Sequence, residues 1–180
     1  MSKKQLFSNR LLLRPVSKGD ISSLFQLQSH PEVARHSALG VPEKIETSEA
    51  LVLEAIQNSE TFFQTQFWWI IQHKKEGTFL GETGMNRSFS NPKNAELFYS
   101  LLPAYWGNGF AEEAVTTILN FAFSELGLQR ITADVRIENK ASIRLLEKLG
   151  MIREGRHRKI LPARGEWCDN YRYGLWRGQG

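Results

Sequence analysis

Leu101-Leu102-Pro103-Ala104-Tyr105-Trp106-Gly107-Asn108-Gly109-Phe110-Ala111 is the stretch on which the reading of this chain turns. A strand-like run ends at a proline, two glycines follow one residue apart, and an alanine-containing helical pattern begins. The first turn of a helix has amide N–H groups without intrahelical partners, at the positive end of its dipole. Glycines let the backbone approach an anion with no Cβ in the way. Strand, glycine turn and helix start together predict a cradle for a phosphate-bearing ligand. A Gly-x-Gly alone is equally a tight turn. This one lacks both the nucleotide-triphosphate loop pattern and the third glycine of the dinucleotide fingerprint.

Upstream, Ala95 to Leu101 reads as a strand, with Glu96, Phe98 and Ser100 on one face and Leu97, Tyr99 and Leu101 on the other. Phe67 to Gln72 and Phe79 to Met85 read as a hairpin turning at Lys75-Glu76-Gly77. Leu11 to Pro15 is a first strand. Asp20 is the expected cap of a helix carrying Ile21, Leu24, Phe25 and Leu27, which His30-Pro31 breaks. A short helix with Val33 and Ala34 follows, and Thr47 and Ser48 are expected to cap a longer one. Downstream, Ala111, Ala114, Val115, Ile118, Leu119 and Ala122 recur at helical spacing as far as Gly127. Ile131 to Arg136 alternates as a half-buried strand. Asn139 caps a helix with Ile143, Leu146 and Leu149 that ends at Gly150. Gly155 to Trp176, turning at Ala163-Arg164-Gly165, is expected to be a final hairpin. The fold class expected is α/β (α+β): one domain over residues 1–180, three layers, with a twisted, mostly antiparallel mixed sheet flanked by helices.

The 180 residues suit one domain with a substantial core. A net charge of +4 fits an anionic ligand and is too small and scattered to argue for nucleic acid. The single cysteine, Cys168, points to a reducing, cytoplasmic setting. No signal-like or membrane-spanning apolar run is present, so no membrane role is expected. His30, His36, His73 and His157 are dispersed without metal-ligand spacing, so no metal is expected. The aromatic run Phe62, Phe63, Phe67, Trp68 and Trp69 is expected mainly in the core, with part of it available to an acceptor cleft or a dimer face.

Asn139-Lys140-Ala141-Ser142-Ile143-Arg144-Leu145-Leu146-Glu147-Lys148-Leu149-Gly150-Met151 supplies the second half of a signature. Together with the glycine turn it resembles the GNAT superfamily of acetyl-CoA-dependent N-acetyltransferases, whose pattern is Gln/Arg-x-x-Gly-x-Gly/Ala followed by an Asn-led helix ending in Leu-Gly-Phe. Gly109 and Ala111 match the glycine and the small residue. Trp106 replaces the general Gln or Arg, and Trp-Gly-x-Gly-Tyr/Phe-Ala is similar to the RimJ/RimL-type (ribosomal-protein N-acetyltransferase-like) branch. Arg10 to Pro15, Ala95 to Tyr99 and Gly165 to Asp169 resemble further segments of that branch, so the likeness spans essentially the whole chain.

The resemblance implies acetyl-CoA as co-substrate. Gly107, Asn108, Gly109, Phe110 and Ala111, with Trp106 beside them, would hold the pyrophosphate. Leu101 would pair with the pantetheine amides, and Asn139 and Ser142 would meet the same arm. Lys148 or Arg144 would face the adenosine phosphate, unless both are simply solvated helix residues. The cofactor would lie where the strands ending at Leu101 and Arg136 splay apart.

Acetyl transfer needs a neutral amine, a polarised thioester carbonyl and a proton for the departing thiolate. An α-amine with a pKa near 7.7–8.0 is roughly a tenth neutral at pH 7, so it needs only modest help from a base. Glu96 is the candidate base, acting directly or through water, and a solvated strand glutamate is its plain alternative. The backbone N–H near Leu101 is a candidate donor to the carbonyl oxygen. Many superfamily members place a tyrosine acid seven residues after the asparagine, and that position here is Leu146. The resemblance makes Ser142 the substitute, with helix packing as its ordinary role. The expected activity is direct transfer, in a ternary complex, to a primary amine. Acceptors weighed are a (ribosomal) protein N-terminus and a small molecule such as an amino acid, polyamine or antibiotic. A non-catalytic acyl-CoA-binding module is the rival of a different class. A monomer or a homodimer is expected.

Overall fold

The computed structural model describes residues 4–37, 40–61, 64–163 and 166–178, the side chains of 159–163 and 166 excepted. Phe62, Phe63, Arg164 and Gly165, which entered the expectations for the aromatic run and the last turn, lie outside the described residues.

Eight strands and five α-helices are described, with short 3-10 turns at Lys18–Asp20 and Pro103–Tyr105. In chain order they are β1 (Leu6–Phe7), β2 (Leu11–Pro15), α1 (Ile21–Ser29), α2 (Pro31–Ala34), α3 (Ile45–Ser59), β3 (Gln66–His73) and β4 (Phe79–Arg87). There follow β5 (Asn94–Leu101), α4 (Phe110–Ser124), β6 (Arg130–Arg136), α5 (Lys140–Lys148), β7 (Ile152–Ala163) and β8 (Glu166–Trp176). They form one sheet in the order β1-β2-β3-β4-β5-β6-β8-β7. Every neighbouring pair is antiparallel except β5 and β6, which run parallel because α4 carries the chain back between them.

The period-2 pattern of the strands sorts residues to two faces. Leu97, Leu101, Ile131, Ala133, Val135 and Tyr173 join Ala114, Val115, Ile118 and Ala122 of α4 and Leu146 of α5 in the larger core. Trp68 and Ile70 of β3 meet Leu24 of α1 and Val52 and Ala55 of α3 in the smaller one, with Phe98 against them. The sheet is therefore the middle of three layers. Gly84 is needed at its centre: a Cβ there would stand 2.2 Å from the Phe67 carbonyl and 2.4 Å from the Phe98 ring. That vacancy lets Phe98 lie across the sheet and meet Trp68 edge-on at 6.3 Å.

Two caps differ from expectation. Asp20 stands at the N-cap of α1 but its carboxylate is not spent on that helix. It accepts two bonds from Arg14, at 2.5 and 2.8 Å, and others from the Ser17 amide and hydroxyl, fastening β2 to the turn after it. Thr47 and Ser48 do not cap α3, which starts a turn earlier with Lys44 as N-cap. Ser48 is buried instead and donates to Gln28 Oε1 at 2.8 Å. The two-residue strand β1 carries too little pattern to be seen in sequence.

Candidate active site

β5 and β6 pair at three positions, Asn94 with Arg130, Ala95 with Ile131 and Glu96 with Thr132, and no pair follows among the described residues. The gap widens towards Leu101 and Arg136. On its other side β5 stays bonded to β4 to the end, where the Leu102 N–H donates to the Leu80 carbonyl at 2.9 Å. Antiparallel bonding alternates, so the backbones of Phe98, Ser100 and Leu102 turn to β4 and those of Tyr99 and Leu101 turn to the gap. The gap is thus edged by strand N–H groups whose neighbouring strand has moved away.

The glycine turn sits at its mouth. Gly107 and Gly109 both adopt positive φ, 74° and 76°, and Gly109 is the N-cap of α4. The first helical bond runs from the Glu113 N–H to the Gly109 carbonyl at 3.1 Å. The amides of Phe110, Ala111 and Glu112, and those of the turn before them, therefore have no acceptor within the helix.

Trp106 acquires a specific task. Its indole N–H donates to the Leu101 carbonyl at 2.7 Å, tying the end of β5 to the turn. The Leu101 carbonyl thus already accepts one bond, and its N–H turns to the gap. Asn108 donates from its side chain to the Trp106 carbonyl at 3.0 Å, stiffening the same turn.

Arg10 supplies a second brace. Its Nε donates to Glu113 Oε2 at 2.7 Å, its Nη1 to the Asn108 carbonyl at 3.0 Å, and its guanidinium lies 4.3 Å from the centre of the Phe110 ring. Its own amide and the Ser8 hydroxyl complete the shell of Glu113. Burial alone would raise the Glu113 pKa, but the bonds from Arg10 and Ser8 outweigh it and hold the carboxyl below its usual range. Glu112, the other acid in the first turn, pairs with Lys148 at 2.7 Å. Both carboxylates beside the cradle are thus matched by cations, which limits their repulsion of a phosphate. Lys148 is accordingly an ion-pair partner across α4 and α5, and Arg144 is exposed.

Asn139 caps α5 as expected, its side chain accepting from the Ser142 N–H at 3.1 Å. The Ser142 hydroxyl faces the hydroxyl of Tyr99, which is buried and lacks a well-formed hydrogen bond. Burial pushes the Tyr99 pKa up to about 12, slightly offset by Ser142. Leu146, one turn further along α5, is packed in the larger core and carries no acid.

Glu96 occupies the last position at which β5 pairs with β6, on the face opposite α4 and α5. Although solvent-exposed, it has its pKa raised, first by partial loss of water and then by the charge of Asp134, with Arg172 acting the other way. Asp134 and Arg172 form a two-pronged pair at 2.7 and 2.8 Å. On the same face, deeper under α1 and α3, Glu82 is buried between Ile70 and Ser100. Burial raises its pKa to about 7, against the Gln28 amide and the Trp68 indole, which lower it. Tyr99, Glu82 and Arg10 were not singled out from sequence. For Arg10 the signal was present in the Arg10 to Pro15 segment; Tyr99 and Glu82 are set apart only by what folds over them. Among the described residues no group of three His, Cys, Asp or Glu side chains is placed to hold a metal, and no helix is long and apolar enough to cross a membrane.

Residues 10–152 match the family model for an acetyltransferase (GNAT) domain. An uncharacterized N-acetyltransferase of Bacillus subtilis, YoaA, is 32% identical over 172 residues, covering 94% of this chain and 95% of its own. Among solved structures, Mycobacterium smegmatis RimJ in complex with CoA-disulfide superposes with a TM-score of 0.85 at 19% identity, covering 97% of this chain and 88% of RimJ. A spermidine N-acetyltransferase from Vibrio cholerae, in complex with CoA and spermine, gives 0.84 at 20% identity, covering 96% of this chain and 98% of that one. At these identities the two structures speak for the fold.

Proposed function

The chain belongs to the GNAT acetyltransferase family and is an acyltransferase, and from that premise we propose that it moves an acetyl group from acetyl-CoA directly to a primary amine in a ternary complex. The observation that carries the reading is the braced glycine turn, with amides free of helical partners, opening onto a gap edged by the N–H groups of Tyr99 and Leu101. The CoA-bound state of the RimJ and spermidine acetyltransferase structures supports the choice of ligand. Gly107 to Ala111 would hold the pyrophosphate. The Leu101 N–H and Asn139 would meet the pantetheine arm, and the strand N–H groups would polarise the thioester oxygen.

In the reaction the amine nitrogen attacks the thioester carbon, the carbon–sulfur bond breaks, and sulfur leaves as thiolate. The amine loses a proton and the thiolate gains one. Glu96 takes the first, directly or through water. Its raised pKa brings it nearer the pH at which a base is effective. Ser142, with the Tyr99 hydroxyl behind it, is the donor for the second.

The spermidine enzyme is named for a small-molecule acceptor. An α-amine, as at a peptide N-terminus, demands least of the base and is the leading acceptor, with a small-molecule amine second. The lone cysteine suits a cytoplasmic enzyme. The test is release of free CoA thiol from acetyl-CoA across a panel of N-terminal peptides, amino acids and polyamines. Acceptor-dependent release is expected. CoA binding without release for any amine would instead establish a non-catalytic acyl-CoA-binding module.

A further inference from the structure

Arg136 is buried, 8% exposed, at the end of β6, and its charge has no carboxylate partner among the described residues. Its Nη2 donates to the Ser37 carbonyl at 2.9 Å and its Nη1 to Cys168 Sγ at 3.3 Å. A guanidinium withdrawn from water without an anion costs several kcal/mol. The other buried or half-buried cations of this face are matched: Arg172 to Asp134 and Arg14 to Asp20. Beside it, Asn170 is the register partner of Arg136 on β8 and is 5% exposed, yet its Oδ1 has no hydrogen-bond partner.

Their position gives the pair a meaning. Ile131, Ala133 and Val135 face α4 and α5, so Thr132, Asp134 and Arg136 face the opposite side, with Glu96. Arg136 lies two residues beyond Asp134, about 7 Å along the strand. Asp134 in turn is close enough to Glu96 to act on its charge. The cation without a carboxylate and the unsatisfied amide oxygen thus share the face of the sheet that carries Glu96, the proposed base.

We propose that Arg136 and Asn170 form an acceptor subsite for a carboxylate, so that the amine acetylated by this protein carries a carboxylate close to it. This rests on the acetyltransferase reading above. Arg136 supplies the charge and the planar fork that a carboxylate matches. Asn170 supplies an amide at its flank for a polar group of the same acceptor. A polyamine, which brings only positive charge, is repelled by the same guanidinium. The carboxylate has two sources: the α-carboxylate of a free amino acid, or an acidic side chain next to a peptide's α-amine.

The experiment measures kcat/KM by thiol release for matched acceptors. One arm compares L-phenylalanine with phenethylamine. A second compares a peptide amide beginning Ala-Asp with one beginning Ala-Asn. Spermidine is the third. The wild-type protein should prefer the carboxylate member of at least one pair by tenfold or more, and that arm names the source. In Arg136→Gln the preference should collapse towards one through a higher KM for the carboxylate member. Arg136→Lys, which keeps the charge and spares the fold, should retain part of it. Asn170→Ala should raise the same KM. Circular dichroism and the KM for acetyl-CoA show whether each variant keeps its fold and cofactor site. Equal rates within both pairs in the wild type, a preference for spermidine, or an undiminished preference in a folded Arg136 variant would overturn the proposal. Absence of thiol release with every amine would overturn the enzymatic reading beneath it.

Discussion

Two of the proposed roles, cofactor capture and proton removal, rest on single residues. At Gly109, φ is 76° and an added Cβ would come within 3.4 Å of Arg10 Nη2. Gly109→Asp adds backbone strain and a negative charge at the proposed phosphate cradle. It should weaken acetyl-CoA binding by tenfold or more in a calorimetric titration, with little change in the circular dichroism spectrum; unaltered affinity would remove the pyrophosphate assignment. On the proposal that Glu96 is the base, its raised pKa should place the acid limb of the kcat/KM profile above the ordinary carboxylate range, because a base acts only when ionised. Glu96→Gln should abolish that limb and lower the rate. Asp134→Asn removes a neighbour that raises the Glu96 pKa and releases Arg172, which lowers it, so the limb should move to lower pH. A limb that stays in place in both variants means that another group titrates there.

The start of α4 is where the elements combine into a device. Arg10, from the turn before β2, reaches the Asn108 carbonyl, the Glu113 carboxylate and the Phe110 ring, so one side chain holds the loop, the helix and the edge of the sheet together. Arg10→Ala should loosen the cradle and raise the KM for acetyl-CoA several-fold. It should alter the KM for acetyl-pantetheine little, because that substrate has no pyrophosphate, and Arg10→Lys should recover part of the loss. An equal rise for both substrates would assign Arg10 to general stability. Elements of this kind were largely legible in the sequence. The glycine turn, the spacing in α4 and the Asn139 cap are local signals, and each stands where the residues placed it. What was not legible was contact across the chain. Asp20 carries a cap's chemistry but is drawn to Arg14, Thr47 and Ser48 lose their capping role to a helix that starts at Ile45, and Arg136 looks like any strand-end arginine until Ser37 folds over it. Local patterning fixes periodicity, but partner choice for a charged side chain depends on tertiary packing.

On the scale of the whole molecule, one buried acid couples the sheet to pH. Glu82 lies in the middle layer, beneath α1 and α3, and burial raises its pKa from about 4.5 to about 7. A carboxyl that holds its proton more tightly when folded favours the folded state at low pH. That advantage is complete below about pH 4.5, where both states are protonated, and is lost progressively as pH rises to about 7, where the folded protein must ionise a buried group. At about 1.4 kcal/mol for each pKa unit, the change is on the order of 3 kcal/mol. Asp20 and Glu113 work in the opposite sense: their pKa values are lowered, so what they contribute is present above the ordinary carboxylate range and lost as pH falls. The contribution of Glu82 is therefore isolated by comparison with Glu82→Gln, which keeps the size and the hydrogen-bonding groups and removes the titration. Urea unfolding of the two proteins from pH 4.5 to pH 8 should show the wild type losing stability relative to the variant up to about pH 7, and a constant difference above. Curves that stay parallel through this window would mean that Glu82 ionises as an ordinary carboxyl, and that the layer between sheet and helices admits the water its packing excludes.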